Sequence, residues 1–285
     1  MKNRFSKSFF KKAVLVLTGL GLLAAGMVFV AHDASALRLT LKRIVFEGRK
    51  RTEVITIINN ESEPKTYRLG WRTMRMTEDR ALENVEEGQS LEGLRPLEKF
   101  VRFAPRRVTV PPGGTQQVRL MLRKPKDLED GEYRSHFWIQ PEAEAAKFGE
   151  ERPTSKGSSV QLKILTGITL PVIVRHGTLE ASGSMEKASA AIKGDKIEVS
   201  FVLTRTGNKS LYGDVDMICN GGGQQDIRTI RGVAVYPEVS KRNLSFNMPV
   251  PADINSCNEI NIIYREPPDQ AGNLGRIIAE TTVNL

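Results

Sequence analysis

The chain has 285 residues, a formal charge of +9 and 40% apolar residues. Five lysines and arginines and one acid precede Leu37, so the rest carries about +5. That mild excess, mixed among acids, suits an acidic protein partner or another negative surface but does not make a nucleic-acid binder. No RNA-binding motif or zinc-finger spacing occurs.

Lys2, Arg4, Lys7, Lys11 and Lys12 form a basic head, Ala13 to Val30 is uncharged and mostly apolar, and Ala34-Ser35-Ala36 is a small-x-small cleavage site. This order predicts a secretory signal peptide over 1–36. The alternative is an uncleaved membrane anchor, since the run is about long enough to span a bilayer. Gly19, Gly21, Gly26 and several alanines dilute the run and favour cleavage. An exported chain with two cysteines is expected to pair them, Cys219 with Cys257, rather than bury two thiols. The loop closed is nearly forty residues long, worth about 3–4 kcal/mol.

From Leu37 onward the pattern is β. Leu37, Leu39 and Leu41 alternate with Arg38, Thr40 and Lys42. Val54-Ile-Thr-Ile-Ile58 ends in the turn signal Asn59-Asn60. Tyr67, Leu69 and Trp71 alternate, Phe100-Val-Arg-Phe103 follows a loop, and Val108 to Val110 leads into the turn Pro111-Pro-Gly-Gly114. Val118, Leu120 and Leu122 share a face, as do Tyr133, Ser135, Phe137 and Ile139 after Asp130-Gly131. A long strand is expected from Val160, Leu162 and Ile164 through Ile168, Leu170, Val172 and Val174 to Arg175. Ile197 to Leu203, Gly213 to Cys219, Leu244 to Met248 and Ile260 to Tyr264 repeat the alternation. No amphipathic helix of any length interrupts it.

Short strands separated by turn signals predict an all-β protein of two tandem immunoglobulin-like sandwiches, residues 37–176 and 177–285. Gly177 supplies the bend at the joint. The 143–157 stretch is too long for an ordinary hairpin, so it is either a surface loop or a segment that orders on meeting a partner.

Catalytic patterns are lacking. His32, His136 and His176 make no metal site of known spacing. His136, beside Phe137 inside a strand, reads as structural. No nucleophile elbow, phosphate loop or His-Glu-x-x-His is present, which argues against an enzyme and against a cofactor or metal. Arg43 is the unusual residue: on the alternation it shares the face of Leu37, Leu39 and Leu41. A cation there either frays into solvent or hooks an anion in the cleft between the two domains.

Four segments in order resemble the PapD-like periplasmic chaperones of the chaperone–usher pathway. They are Arg43-Ile-Val-Phe-Glu-Gly48, Pro111-Pro-Gly-Gly-Thr-Gln-Gln-Val-Arg119, Gly131-Glu-Tyr-Arg-Ser-His136 and Gly167-Ile-Thr-Leu-Pro-Val-Ile-Val-Arg-His176. The resemblance implies a periplasmic chaperone that stabilises pilus subunits by donor-strand complementation, without nucleotide, and delivers them to an outer-membrane usher. It places the subunit-carboxylate anchor on Arg43 and the donated apolar row on Val160, Leu162 and Ile164. The family's cleft lysine has no counterpart in Ile168-Thr-Leu-Pro171, leaving Arg175 or Lys163 as the second basic contact. A free chaperone of this kind can also cover its strand by forming a homodimer. The competing reading is a structural surface protein, a fibre or adhesin component built from tandem sandwiches.

Overall fold

A computed structural model of the chain describes residues 38–80, 82–142, 165–220, 226–251 and 257–285. The predicted signal peptide, the 143–157 loop and the row Val160, Leu162, Ile164 with Lys163 lie outside them. Every regular element among the described residues is a strand. The first eleven are β1 (Arg38–Leu39), β2 (Ile44–Phe46), β3 (Thr52–Ile58), β4 (Lys65–Arg72), β5 (Met74–Arg75), β6 (Glu83–Asn84), β7 (Val101–Ala104), β8 (Arg107–Val110), β9 (Thr115–Leu122), β10 (Gly131–Pro141) and β11 (Ile168–His176). Seven follow: β12 (Ala181–Lys193), β13 (Lys196–Gly207), β14 (Leu211–Asn220), β15 (Asp226–Val235), β16 (Lys241–Pro249), β17 (Glu259–Arg265) and β18 (Ile277–Asn284).

The first sandwich packs a sheet ordered β1-β3-β9-β7 on one ordered β2-β11-β10-β4-β8. Its strands bury alternate side chains because the pleat turns every second one inward. In β9, Val118, Leu120 and Leu122 are buried while Arg119 and Met121 are exposed. Trp71, Phe103 and Phe137 meet edge to face, with centroids 4.8 to 5.6 Å apart, the arrangement ring quadrupoles favour. The predicted turns anchor this core. Buried Asn59 donates Nδ2 to the Glu63 and Val110 carbonyls at 2.8 and 3.1 Å. In the Pro111 turn, Gly114 N donates to Pro111 O at 3.0 Å, with Gly113 at φ +61°.

The second sandwich packs β12-β13-β16 on β15-β14-β17-β18. Phe201, Leu203, Met217 and Ile262 fill its centre, and fully buried Tyr264 donates its hydroxyl to Val233 O at 2.9 Å. Cys219 of β14 and Cys257 are disulfide-bonded, 38 positions apart.

Two differences from the sequence reading have physical causes. The first strand is not continuous: β1 pairs with β3 in one sheet, and β2 runs parallel to β11 in the other. Leu39 and Leu41 face the core, but Arg43, at the crossing between sheets, does not share their face. The second difference is β12, whose sequence shows no clear alternation. Its register shifts between Glu186 and Ser189, where Lys187 sits at φ +51°. The bulge flips the inward parity, and Ala and Gly hold several inward positions.

Residues 37–285 form one compact unit. A third apolar cluster of Met76, Ile173, Ala234 and Tyr236 draws members from both sandwiches. This explains why β10 is buried on both faces from Gly131 to Phe137. Tyr133, Phe137 and Ile139 face the first core, while Glu132 and Arg134 find partners in the second sandwich.

Candidate functional site

The site begins at β11. This strand pairs with β10 along its whole length, from Ile139↔Ile168 to Gly131↔His176. Its other edge pairs with β2 only from Val172↔Ile44 to Val174↔Phe46. Among the described residues, Ile168–Pro171 therefore has a neighbour on one side alone. Unpaired edges of this kind accept another chain's strand.

The apolar row expected from Ile168 to Val174 divides. Leu170, Val172 and Val174 are sealed in the first core, whereas Ile168 stays partly exposed. On the opposite face, Ile173 is buried in the cluster that joins the sandwiches, and Arg175 enters the cleft beyond it.

Arg43 immediately precedes Ile44, so it stands where the open edge of β11 ends. Its guanidinium lies 4.1 Å from the ring centroid of Tyr212 and donates to Ser210 Oγ at 3.3 Å. Its Nε is buried without a hydrogen-bond partner among the described residues. Burial, which penalises the charged form, lowers its pKa from the usual arginine value, and the nearby Arg175 charge acts in the same direction. Arg175 differs in being paired: Nε donates to Glu132 at 3.0 Å and Nη1 to Glu47 at 3.2 Å. The same Glu132 oxygen accepts from Ser210 N at 3.2 Å and Ser210 Oγ at 3.0 Å. Its side chain is 0% exposed, so one buried carboxylate of the first sandwich orients both Arg175 and the Ser210 that meets Arg43.

Arg43 and Arg175 thus line one cavity of about 360 Å³. Among the described residues they are its only contribution from the first sandwich; Ala181, Lys209, Leu211, Tyr212 and the pair Glu266–Arg276 line it from the second. Chemically this is a recess for an anion. Among the described residues Arg43 and Lys209 are the lining cations without a carboxylate partner, and Arg43 is partly withdrawn from water.

Sequence reasoning singled out Arg43 and named Arg175 without reason to prefer it, and both line this cavity. It missed Glu132, Ser210 and Tyr212. Glu132 lies in one of the quoted motifs, but nothing local marks Ser210 or Tyr212. Of the histidines, His136 is 1% exposed and neither ring nitrogen has a partner. Burial, with the Arg134 charge, pushes its pKa down to about 3. His176 stands at the end of β11, its Nε2 4.0 Å from Asp130.

No protein-family model matches this sequence, and no curated protein matches it. Among solved structures the chain is similar to the Pseudomonas aeruginosa CupB2 chaperone, at 11% identity and a TM-score of 0.45, over 87% of this chain and 100% of that one. It is also similar to the class 5 fimbriae chaperone CfaA, at 11% identity and a TM-score of 0.44, over 85% and 97% of the two chains. A third likeness is to a chain of the Salmonella enterica SafA pilin complex with the SafB chaperone, at 12% identity and a TM-score of 0.42, over 90% and 99%.

Proposed function

We propose that this protein is a periplasmic chaperone that captures secreted pilus subunits. It lends the open edge of β11 to a client lacking a strand and grips the client's C-terminal carboxylate in the cleft. Its two sandwiches are the two domains, divided at Gly177. The observation that carries this reading is the placement of Arg43 at the end of the open half of β11. A client strand running parallel to β11 along Ile168–Pro171 brings its last residue to that guanidinium.

Main-chain hydrogen bonds supply the affinity of such strand addition, and side-chain pockets supply its specificity. The terminal carboxylate adds a charge-assisted contact, which is stronger than a neutral one. Arg175, held by Glu132, is the second basic contact. The row Val160, Leu162 and Ile164 lies upstream on the same segment and extends the lent strand. The chemistry requires no nucleotide, because exchange of one strand partner for another is a binding equilibrium.

The test is co-expression with secreted pilus subunits of the chaperone–usher type. Arg43→Ala is expected to lower the amount of co-purified subunit roughly tenfold or more, as loss of a charge-assisted contact does, with the melting temperature unchanged. Undiminished co-purification overturns the anchor.

A further inference from the structure

The cleft divides its chemistry between the two sandwiches. Among the described residues, everything the first contributes to the cavity is cationic, Arg43 and Arg175. The second adds an apolar wall. Leu211 and Ile278 line it, with Ala181 and Pro267 beside them. Both large side chains converge over Gly183: a Cβ there would stand 2.7 Å from Leu211 Cδ1 and 3.0 Å from Ile278 Cγ2. Glycine at 183 leaves room for both against the sheet, where Leu211, 4% exposed, backs the partly exposed Ile278.

The rim of this wall is pinned. Glu266 N donates to Arg276 O at 2.9 Å, and Arg276 Nη2 donates to Glu266 Oε1 at 2.8 Å. Inside that loop, Asp269 Oδ1 accepts from Ala271 N and Asn273 N, both at 2.9 Å. A loop so tied still leaves Leu274 73% and Ile277 46% exposed.

The charges are also uneven. Arg175 is held by Glu132 and Glu47, and Arg276 by Glu266. Arg43 and Lys209 are the lining cations that make no ion pair among the described residues, enough for one carboxylate. Glu266 on the rim disfavours a second negative charge. A lone carboxylate does not fill about 360 Å³, a volume in the range of small-ligand pockets.

We propose that the second sandwich reads the last side chain of the captured chain and takes an apolar one. The ligand is a polypeptide end whose free carboxylate meets Arg43 and whose leucine-, isoleucine- or phenylalanine-like terminal side chain lies on Ile278 and Pro267, with Leu211 behind them. This rests on the carboxylate anchoring proposed above and assigns the second sandwich a part in choosing clients.

The test titrates the whole purified chain with fluorescein-labelled ten-residue peptides of alternating valine and threonine. They end in leucine, alanine, glutamate or leucine carboxamide, and polarisation reads the affinity. The leucine end is expected to bind about tenfold tighter than the alanine end, the scale of apolar-pocket discrimination, and tighter still than the glutamate end. The carboxamide is expected to bind more weakly than its acid. Equal affinity for the three acids, with a penalty for amidation, overturns the side-chain selection and leaves the anchor standing. No penalty for amidation overturns the anchor itself, and unmeasurable binding of every peptide overturns both. Ile278→Thr, which keeps the branched shape suited to β18, is expected to erase the leucine preference while retaining the amidation penalty. A retained preference removes Ile278 from the site.

Discussion

Arg43 is costly to keep where it is. A guanidinium taken out of water needs compensation, and here it receives one hydroxyl and one aromatic face. The buried Glu132 carboxylate nearby spends one oxygen on Arg175 and Ser210. A partly buried cation with no ion-pair partner among the described residues suits the carboxylate contact proposed above. Buried His136 makes a separate, measurable statement. Its folded pKa of about 3 lies below the ordinary 6.5, so between those values the unfolded chain binds more protons than the folded one. Stability then falls as pH drops from about 6.5 towards 3, by up to about 1.4 kcal/mol per unit. Urea unfolding at pH 7, 5.5 and 4 is expected to show a shallower acid decline for His136→Leu than for the native chain.

At the scale of elements, β11 has two halves with different duties. From Val172 to Val174 it is an interior strand, paired on both sides and packed into the first core. From Ile168 to Pro171 it is an edge. Val172→Asp buries an unpaired charge and is expected to prevent folding, seen as loss of the cooperative thermal transition. Ile168→Asp is expected to leave the transition within a few degrees of native and to weaken subunit capture. The disulfide acts on the other sandwich, tying the end of β14 to the entry of β17. Replacing both cysteines by serine is expected to cost about 3–4 kcal/mol, the loop-closure entropy returned to the unfolded chain, read as a lower urea midpoint.

For the molecule as a whole, the joint between sandwiches is a core rather than a linker. Arg134 and Glu238 form a two-pronged ion pair across it, at 2.6 and 3.2 Å, with side chains 6% and 5% exposed. Arg134 also stacks 3.6 Å from the Tyr236 ring centroid, and Glu238 accepts from Met76 N at 2.8 Å. A second tie runs through the 73–84 segment: Asn243 N donates to Glu78 O at 2.8 Å and Asn243 Nδ2 to Asp79 Oδ1 at 2.6 Å. Held this way, the cleft between Arg43 and Ile278 is preformed, which lowers the ordering cost of binding. Removing one partner of a buried pair strands the other. Glu238→Gln is therefore expected to cost about 3 kcal/mol or more in urea unfolding. The Arg134→Met, Glu238→Met double variant is expected to recover most of that loss.

Strands that bury one face were legible from residue types alone. In β9, β13 and β17 large apolar side chains fall on every second position, and the pleat turns period two directly into burial. The paired cysteines, the Asn59 and Pro111 turns, and Arg43 as an unusual cation were legible for the same local reason. Strand β12 was not, because its bulge and its small inward side chains erase the alternation. Nor were the partners of Arg43, since Ser210 is 167 positions away and is brought close only by the packing of one sandwich on another. Local sequence determines which way a side chain points relative to its own strand. Whether that side meets solvent, a core or a second sheet is decided by apolar surfaces distant in the chain, and here that packing places Arg43, which has no ion-pair partner among the described residues, where the paired part of β11 begins.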